Sequence, residues 1–168
     1  RLNWIKKKAI PDIDSADYKK LLGVAKDLDL HIELFLEDHL QELVVPKILA
    51  SGATLVLDHF GNPDPKLGMQ SQSFQNTLCG LAEGKVWVKL SAPYRLGFLD
   101  GVSIQGYVDA LVAANPKQLV WASDWPWLSY ENRFTYADCI TWIQSAIPNT
   151  EVWNDILINN PKTLFHFE

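Results

Sequence analysis

Thr54-Leu55-Val56-Leu57-Asp58-His59-Phe60 is the stretch on which the fold turns: a short β-like apolar run that ends in an acid and an imidazole. Three other runs share its form. Leu30-His31-Ile32-Glu33-Leu34-Phe35-Leu36 precedes it. Val86-Trp87-Val88-Lys89-Leu90-Ser91 and Leu119-Val120-Trp121-Ala122-Ser123-Asp124-Trp125 follow it. Longer amphipathic segments separate the runs and predict helices over 15–28, 39–50, 71–83 and 104–114. Two more helices, near 135–146 and 150–166, are expected to close the chain, with Pro148 and Pro161 as punctuation. Arg1-Leu2-Asn3-Trp4 reads as the end of a further strand, and because residue 1 is Arg the natural protein is expected to begin earlier.

Four strands, each separated from the next by a helix long enough for a crossover, predict a parallel α/β sheet built from βα units. Strand count alone leaves two architectures open, a doubly wound open sheet and part of a barrel. No G-x-G-x-x-G follows any strand, which weighs against a dinucleotide-binding sheet.

Composition narrows the class. The chain has 168 residues, expected to form one domain over 1–168, with 48% hydrophobic and 21% charged residues. Seven Trp and seven Phe require extensive burial. A net charge of −5 provides no basic footprint for nucleic acid. No apolar run approaches the ~18 residues of a membrane span, and no signal peptide opens the sequence. Cys79 and Cys139 lie inside helix-like segments, far from any His at metal spacing, and are expected as buried free thiols in a reducing cytoplasm.

Polar residues cluster near the carboxyl ends of the runs: Glu33, Asp58 with His59, Lys89 with Ser91, and Asp124. In parallel α/β folds that edge binds ligands. Alternation along a strand puts His59 on the face of Leu55 and Leu57, Lys89 with Trp87 and Ser91, Asp124 with Val120 and Ala122, and Glu33 with His31 and Phe35. If those faces line a barrel, four ionisable groups meet at one mouth, which is costly unless they are paired, hydrated or bound. Each has an ordinary alternative. A strand-end Asp can cap a loop, a lone His can be a satisfied core residue, and Lys89 can form a structural ion pair with Glu33. Four on consecutive strands favour function.

Three segments taken together carry a resemblance: Leu57-Asp58-His59-Phe60-Gly61, Val86 to Ser91, and Leu119 to Pro126. With the ending Asn160-Pro161 followed by Leu164 and Phe167, they resemble the amidohydrolase superfamily, in the branch of 2-pyrone-4,6-dicarboxylate lactonase-like TIM-barrel hydrolases. The resemblance covers nearly the whole chain. It implies that the parallel βα units are the second half of a (β/α)8 barrel, strands 5–8, with Arg1-Leu2-Asn3 ending the fourth. The family's first strand normally carries a His-x-His pair, which this sequence lacks. A complete barrel needs about 250 residues, so a fragment, a split subunit or an incompletely retained chain is expected, its independent activity in doubt, that pairs with an N-terminal half or with a second copy of itself.

The same resemblance implies that Asp124 is the general base activating water for attack on an ester or lactone carbonyl. A strand-end carboxylate can be desolvated enough to suit that role. His59 would polarise the carbonyl oxygen or orient the leaving group. Tyr94 and Arg95 match a Tyr-Arg pair of related lactonases, and a guanidinium suits bidentate binding of a substrate carboxylate, so a small anionic molecule is the expected partner. Lys89, Ser91 and Glu33 are further candidates for substrate binding. Trp125 and Trp127 are candidates for the pocket wall or for core packing. Asp58, of opposite parity to His59, is expected to face the helices. The family often has Gly where Ala122 stands and His where Trp127 stands, and the second change removes a polar group from the mouth.

Many amidohydrolases hold a divalent ion through the His-x-His pair, a later His and the final-strand Asp, whereas the lactonase branch is thought to work without one. His59 and Asp124 supply two of those four ligands. The expectation is no metal and no cofactor, with Zn or Mn as the alternative. Three functions follow: a lactone or carboxylic ester hydrolase; a metal-dependent amidase or decarboxylase of the same superfamily; and a non-catalytic half-barrel that associates with a partner.

Overall fold

The computed structural model describes residues 1–7, 9–97 and 103–167. Five strands form one sheet: β1 (Leu2–Asn3), β2 (His31–Phe35), β3 (Thr54–Leu57), β4 (Val86–Leu90) and β5 (Leu119–Trp121). Every neighbouring pair is parallel, and the spatial order is β1-β2-β3-β4-β5. A doubly wound sheet reverses its order at a switch point. Here each strand lies beside its sequence neighbours throughout, the singly wound arrangement that TIM-barrel folds share.

The crossovers are helices α1 (Ala16–Asp27), α2 (Gln41–Ala50), α3 (Gln72–Ala82) and α4 (Gln105–Ala114), and α5 (Tyr136–Ala146) follows β5. Local sequence explains where they start. Ser71 Oγ accepts the Phe74 N–H at the head of α3, and Thr135 with Asp138 closes a capping box on α5. The predicted helix 150–166 is three pieces: α6 (Thr150–Asn154), a π-helical turn over Asp155–Asn159, and α7 (Asn160–Phe165). Pro161 has no N–H to continue an i→i−4 ladder, so the chain widens before it and restarts with proline in the first turn.

Strand pairing sorts the side chains. Ile32, Leu34, Leu55, Leu57, Val86, Val88, Leu90 and Leu119 belong to the main core, where they meet Leu22, Val44, Ile48, Phe74, Leu81, Leu111 and Ile143 of the helices. Burying each such side chain contributes about 1.5–3 kcal/mol before conformational entropy is counted. On the opposite face Val56, Trp87 and Val120 form a small second cluster closed by Leu164 of α7. Asn160 holds that helix in place by donating from Nδ2 to the carbonyls of Pro116 and Leu119, each at 2.7 Å. Glu33 is in register with Val56, and Lys89 with Val120, so both charged side chains belong to the Val56 face.

Two sequence expectations fail in instructive ways. Cys139 is buried, but Cys79 lies on the exposed side of α3; both are free. The strands also stop short of the residues that were to end them. β3 ends at Leu57 and β5 at Trp121, because His59 (φ 49°), Phe60 (φ 61°) and Asp124 (φ 58°) adopt left-handed backbone, which no strand can contain.

Candidate active site

Taking the Leu55–Leu57 face as the interior puts Asp58 on the helix side, but its side chain is 0% exposed and lies with Glu33 and Lys89 on the Val56 face, as alternation from Val56 dictates. The parity of Asp58 is thus the same as that of Val56, two residues earlier, and the mistaken anchor was His59. Leu55 and Leu57 do point to the helices. His59 does not follow them, because its left-handed φ swings the ring back over the carboxyl edge of the sheet. Gly61 continues this tight turn at φ 79°, where an added Cβ would lie 3.1 Å from Thr77. Non-glycine residues held at positive φ store strain and concentrate at functional sites.

The imidazole of His59 is fully enclosed. Phe35 meets it edge to face with centroids 4.6 Å apart, Ser91 Oγ lies 2.8 Å from Nδ1, and Asp124 Oδ1 lies 3.8 Å from Nε2. Burial pulls its pKa from 6.5 down to about 4, with Asp124 and then Asp58 opposing the drop, so the ring is neutral at pH 7. Asp124 presents its other oxygen to two donors. Tyr94 donates its hydroxyl to Oδ2 at 2.6 Å and Arg95 Nε donates at 3.0 Å. Burial, followed by the hydrogen bond to Asp124, pushes the Tyr94 phenol well above its ordinary value and keeps it protonated. Asp124 is therefore a partnered carboxylate, 15% exposed, rather than the desolvated one expected.

The remaining candidates divide. Ser91 is 0% exposed and reaches His59, not the cleft. Lys89 donates to Glu33 Oε1 at 2.7 Å and lies 2.9 Å from Asp58 Oδ1, off the line of a directed hydrogen bond. Arg1 completes the group at 2.8 Å from Asp58 Oδ2. Burial, the largest single influence, raises the Asp58 carboxyl, but the surrounding groups together, the Lys89 ammonium first among them and Arg1 included, outweigh it and hold the group below the usual carboxylate range. Two cations facing two anions make this an ion-pair network, the structural alternative for Lys89 and Glu33. Trp125 stands 71% exposed, and Trp127 is half-buried with its indole N–H on the Ser123 carbonyl.

A cleft of about 540 Å³ opens over the strand ends, lined by Phe35, Asn62, Arg95 and Tyr130 among others. Sequence reading gave no role to Phe35, Tyr130 or Phe134, although Phe134 stacks on Tyr94 at 4.5 Å and Arg95 lies over the rings of Tyr94 and Tyr130. Phe35 closes β2, where alternation put it on the face of Glu33, but Tyr130 and Phe134 lie in a loop that carries no periodicity, and the density of aromatics between β5 and α5 was the one available signal for them. Trp125 does not line this cleft. Among the described residues no three His, Cys, Asp or Glu side chains form a metal-binding group, so His59 and Asp124 offer two donors without a third.

An imidazole and a carboxylate thus meet at the carboxyl edge of a singly wound parallel sheet, and residues 8–167 match the family model described as amidohydrolase. The chain belongs to the amidohydrolase family. It is 25% identical to a 2-pyrone-4,6-dicarboxylate hydrolase of Comamonas testosteroni, covering 98% of this chain and 58% of that protein. It is 24% identical to a 4-sulfomuconolactone hydrolase of Rhizobium radiobacter, covering 91% of this chain and 53% of that protein. The chain therefore spans little more than half the length of these amidohydrolase relatives. A probable 2-pyrone-4,6-dicarboxylic acid hydrolase from Acinetobacter baumannii, solved with citric acid bound, superposes with a TM-score of 0.87 at 27% identity, covering 99% of this chain and 63% of that one. An amidohydrolase from Burkholderia multivorans solved with bound zinc shares the fold at TM-score 0.71 and 19% identity, over 93% of this chain and 59% of that one. No helix among the described residues is long and apolar enough to cross a membrane.

Proposed function

We propose that the whole protein, of which these five strands form one arc of a (β/α)8 barrel, hydrolyses a lactone or carboxylic ester of a small anionic substrate. The observation that carries this is the convergence of His59 Nε2 and Asp124 Oδ1, 3.8 Å apart, from two different strand ends onto one point. Lactone hydrolases among its relatives support the substrate class.

Asp124 Oδ1 would accept a proton from water as the water oxygen attacks the carbonyl carbon. Oδ2 is already held by Tyr94 and Arg95, which fixes the carboxylate and directs its free oxygen toward His59. The neutral ring of His59 would polarise the carbonyl oxygen, in the role of an oxyanion donor, or orient the leaving group. Collapse of the tetrahedral intermediate breaks the ester C–O bond, and the proton taken by Asp124 is returned to the departing alkoxide. Arg95 reaches the cleft with its outer nitrogens weakly engaged, Nη2 lying 3.4 Å from the Leu128 carbonyl. A substrate carboxylate can displace that contact and bind the guanidinium, which supports the preference for an anion. Lys89 and Glu33, paired with each other, border the site rather than enter it. Two free thiols fit a reducing, cytoplasmic setting.

Asp124→Asn in the full-length protein should lower kcat on a dicarboxylated lactone by at least about 10²-fold, as removal of a general base does, with the melting temperature preserved. Undiminished turnover would refute the assignment. A metal-dependent amidohydrolase or decarboxylase is the second reading, favoured by the zinc of the Burkholderia structure and by the approach of His59 to Asp124. Residues outside this chain would have to complete such a site, and an ion there would lower the pKa of bound water. Loss of turnover on chelation, restored by zinc or manganese, would replace the metal-free scheme.

A further inference from the structure

Ser91 is buried, and among the described residues its hydroxyl has one hydrogen-bond partner, His59 Nδ1 at 2.8 Å. That isolation restricts the direction of the bond. A serine hydroxyl carries one proton and two lone pairs, and a neutral imidazole has one N–H and one bare nitrogen. If Nδ1 carried the proton, it would donate to Ser91 Oγ. The buried serine proton would then lack an acceptor, and bare Nε2 would face the Asp124 carboxylate, lone pair against lone pair. If Ser91 donates to Nδ1, the serine proton is used, and the Nε2 proton points toward Asp124 Oδ1, 3.8 Å away. A buried donor left without an acceptor carries its full desolvation penalty, so the second arrangement prevails.

We propose that Ser91 is a positioning residue that locks His59 in its Nε2–H tautomer, so that the ring presents a hydrogen-bond donor beside Asp124 Oδ1 at the strand-end rim. This replaces substrate contact as the role of Ser91 and rests on the reading of His59 as the group that polarises the carbonyl. The consequence is chemical. A donor at Nε2 stabilises negative charge growing on a carbonyl oxygen, whereas a bare Nε2 would repel it. Phe35 holds the ring plane from the side, leaving the Ser91 hydroxyl to choose which nitrogen carries the proton.

The test is imidazole nitrogen NMR on full-length protein labelled with ¹⁵N-histidine, recorded as isolated at about pH 7, where His59 is neutral. The His59 signals are identified by their loss in His59→Gln. A protonated-type shift at Nε2 with an unprotonated-type shift at Nδ1 is expected, and Ser91→Ala should move both toward intermediate, exchange-averaged values. Ser91→Cys, which keeps a weak donor, should fall between. An Nδ1–H pattern in the unaltered protein, including one imposed by a metal on Nε2, would overturn the proposal without any variant having to fold. So would a pure Nε2–H pattern that survives Ser91→Ala. On a lactone substrate Ser91→Ala should lower kcat by about 2- to 10-fold with KM nearly unchanged, the effect of one net hydrogen bond. Absence of lactonase activity combined with the expected tautomer would remove the hydrolase assignment and leave the Ser91 lock intact.

Discussion

Replacing Lys89 with Met keeps the straight stem that packs along the sheet and deletes only the ammonium. Its effect can be worked from the geometry. Lys89 lies 2.9 Å from Asp58, whose side chain is 0% exposed, and 2.7 Å from Glu33, which is 22% exposed. At an effective dielectric of about 20 a contact this close has a gross Coulomb energy of roughly 6 kcal/mol, most of it offset by desolvation. Removing one partner of a buried pair destabilises by about 3–5 kcal/mol, because the other charge remains buried. Arg1 stays 2.8 Å from Asp58 but is 44% exposed, so it compensates in part, and Glu33 can recruit water. The lower end, about 3 kcal/mol, is therefore expected, a fall of about 6–12 °C in melting temperature for a domain of this size. Urea unfolding of the full-length protein measures it, alongside Asp58→Asn and the double variant. Because Asp58→Asn removes the stranded charge, the double variant should be more stable than the sum of the single losses predicts. A loss under about 1 kcal/mol for Lys89→Met, or strict additivity, would show that the network does not hold Asp58.

The pH dependence of stability follows from His59. Its folded pKa of about 4 lies below the unfolded 6.5, so the unfolded chain binds more protons between those values and stability falls as pH drops from 6.5 toward 4. The full contribution is about 3 kcal/mol, and His59→Gln should flatten that part of a stability–pH profile; an unchanged slope would count against a buried neutral ring. Asn160→Ala removes both donors to Pro116 and Leu119 and strands two carbonyls, so it should lower unfolding free energy by about 2–3 kcal/mol in a urea titration. The outer edges of β1 and β5 have no strand neighbour among the described residues, so the isolated chain 1–168 should associate. Light scattering would show this, and a stable monomer would argue against edge pairing.

The sequence by itself determined the elements, their parallel order and the rim at which the chemistry sits. Apolar runs at β spacing and capped amphipathic helices are local patterns, dictated by which side chains must leave water. The acids and the imidazole were legible for the same reason, since each sits in or near the end of an apolar run, whereas the Tyr94–Arg95 pair stood out only through the family resemblance. Tertiary structure alone decided which way those groups point. Alternation holds only while φ stays extended: it carried Asp58 inward with Val56, and the left-handed turn at His59 ended it, bringing the ring back over the sheet. Partners distant in sequence decided the rest. Ser91 was taken by His59, Lys89 by Glu33 and Asp58, and Arg95 by Asp124, because a buried charge or hydroxyl settles wherever its hydrogen bonds can be completed, and no one-dimensional pattern records where that is.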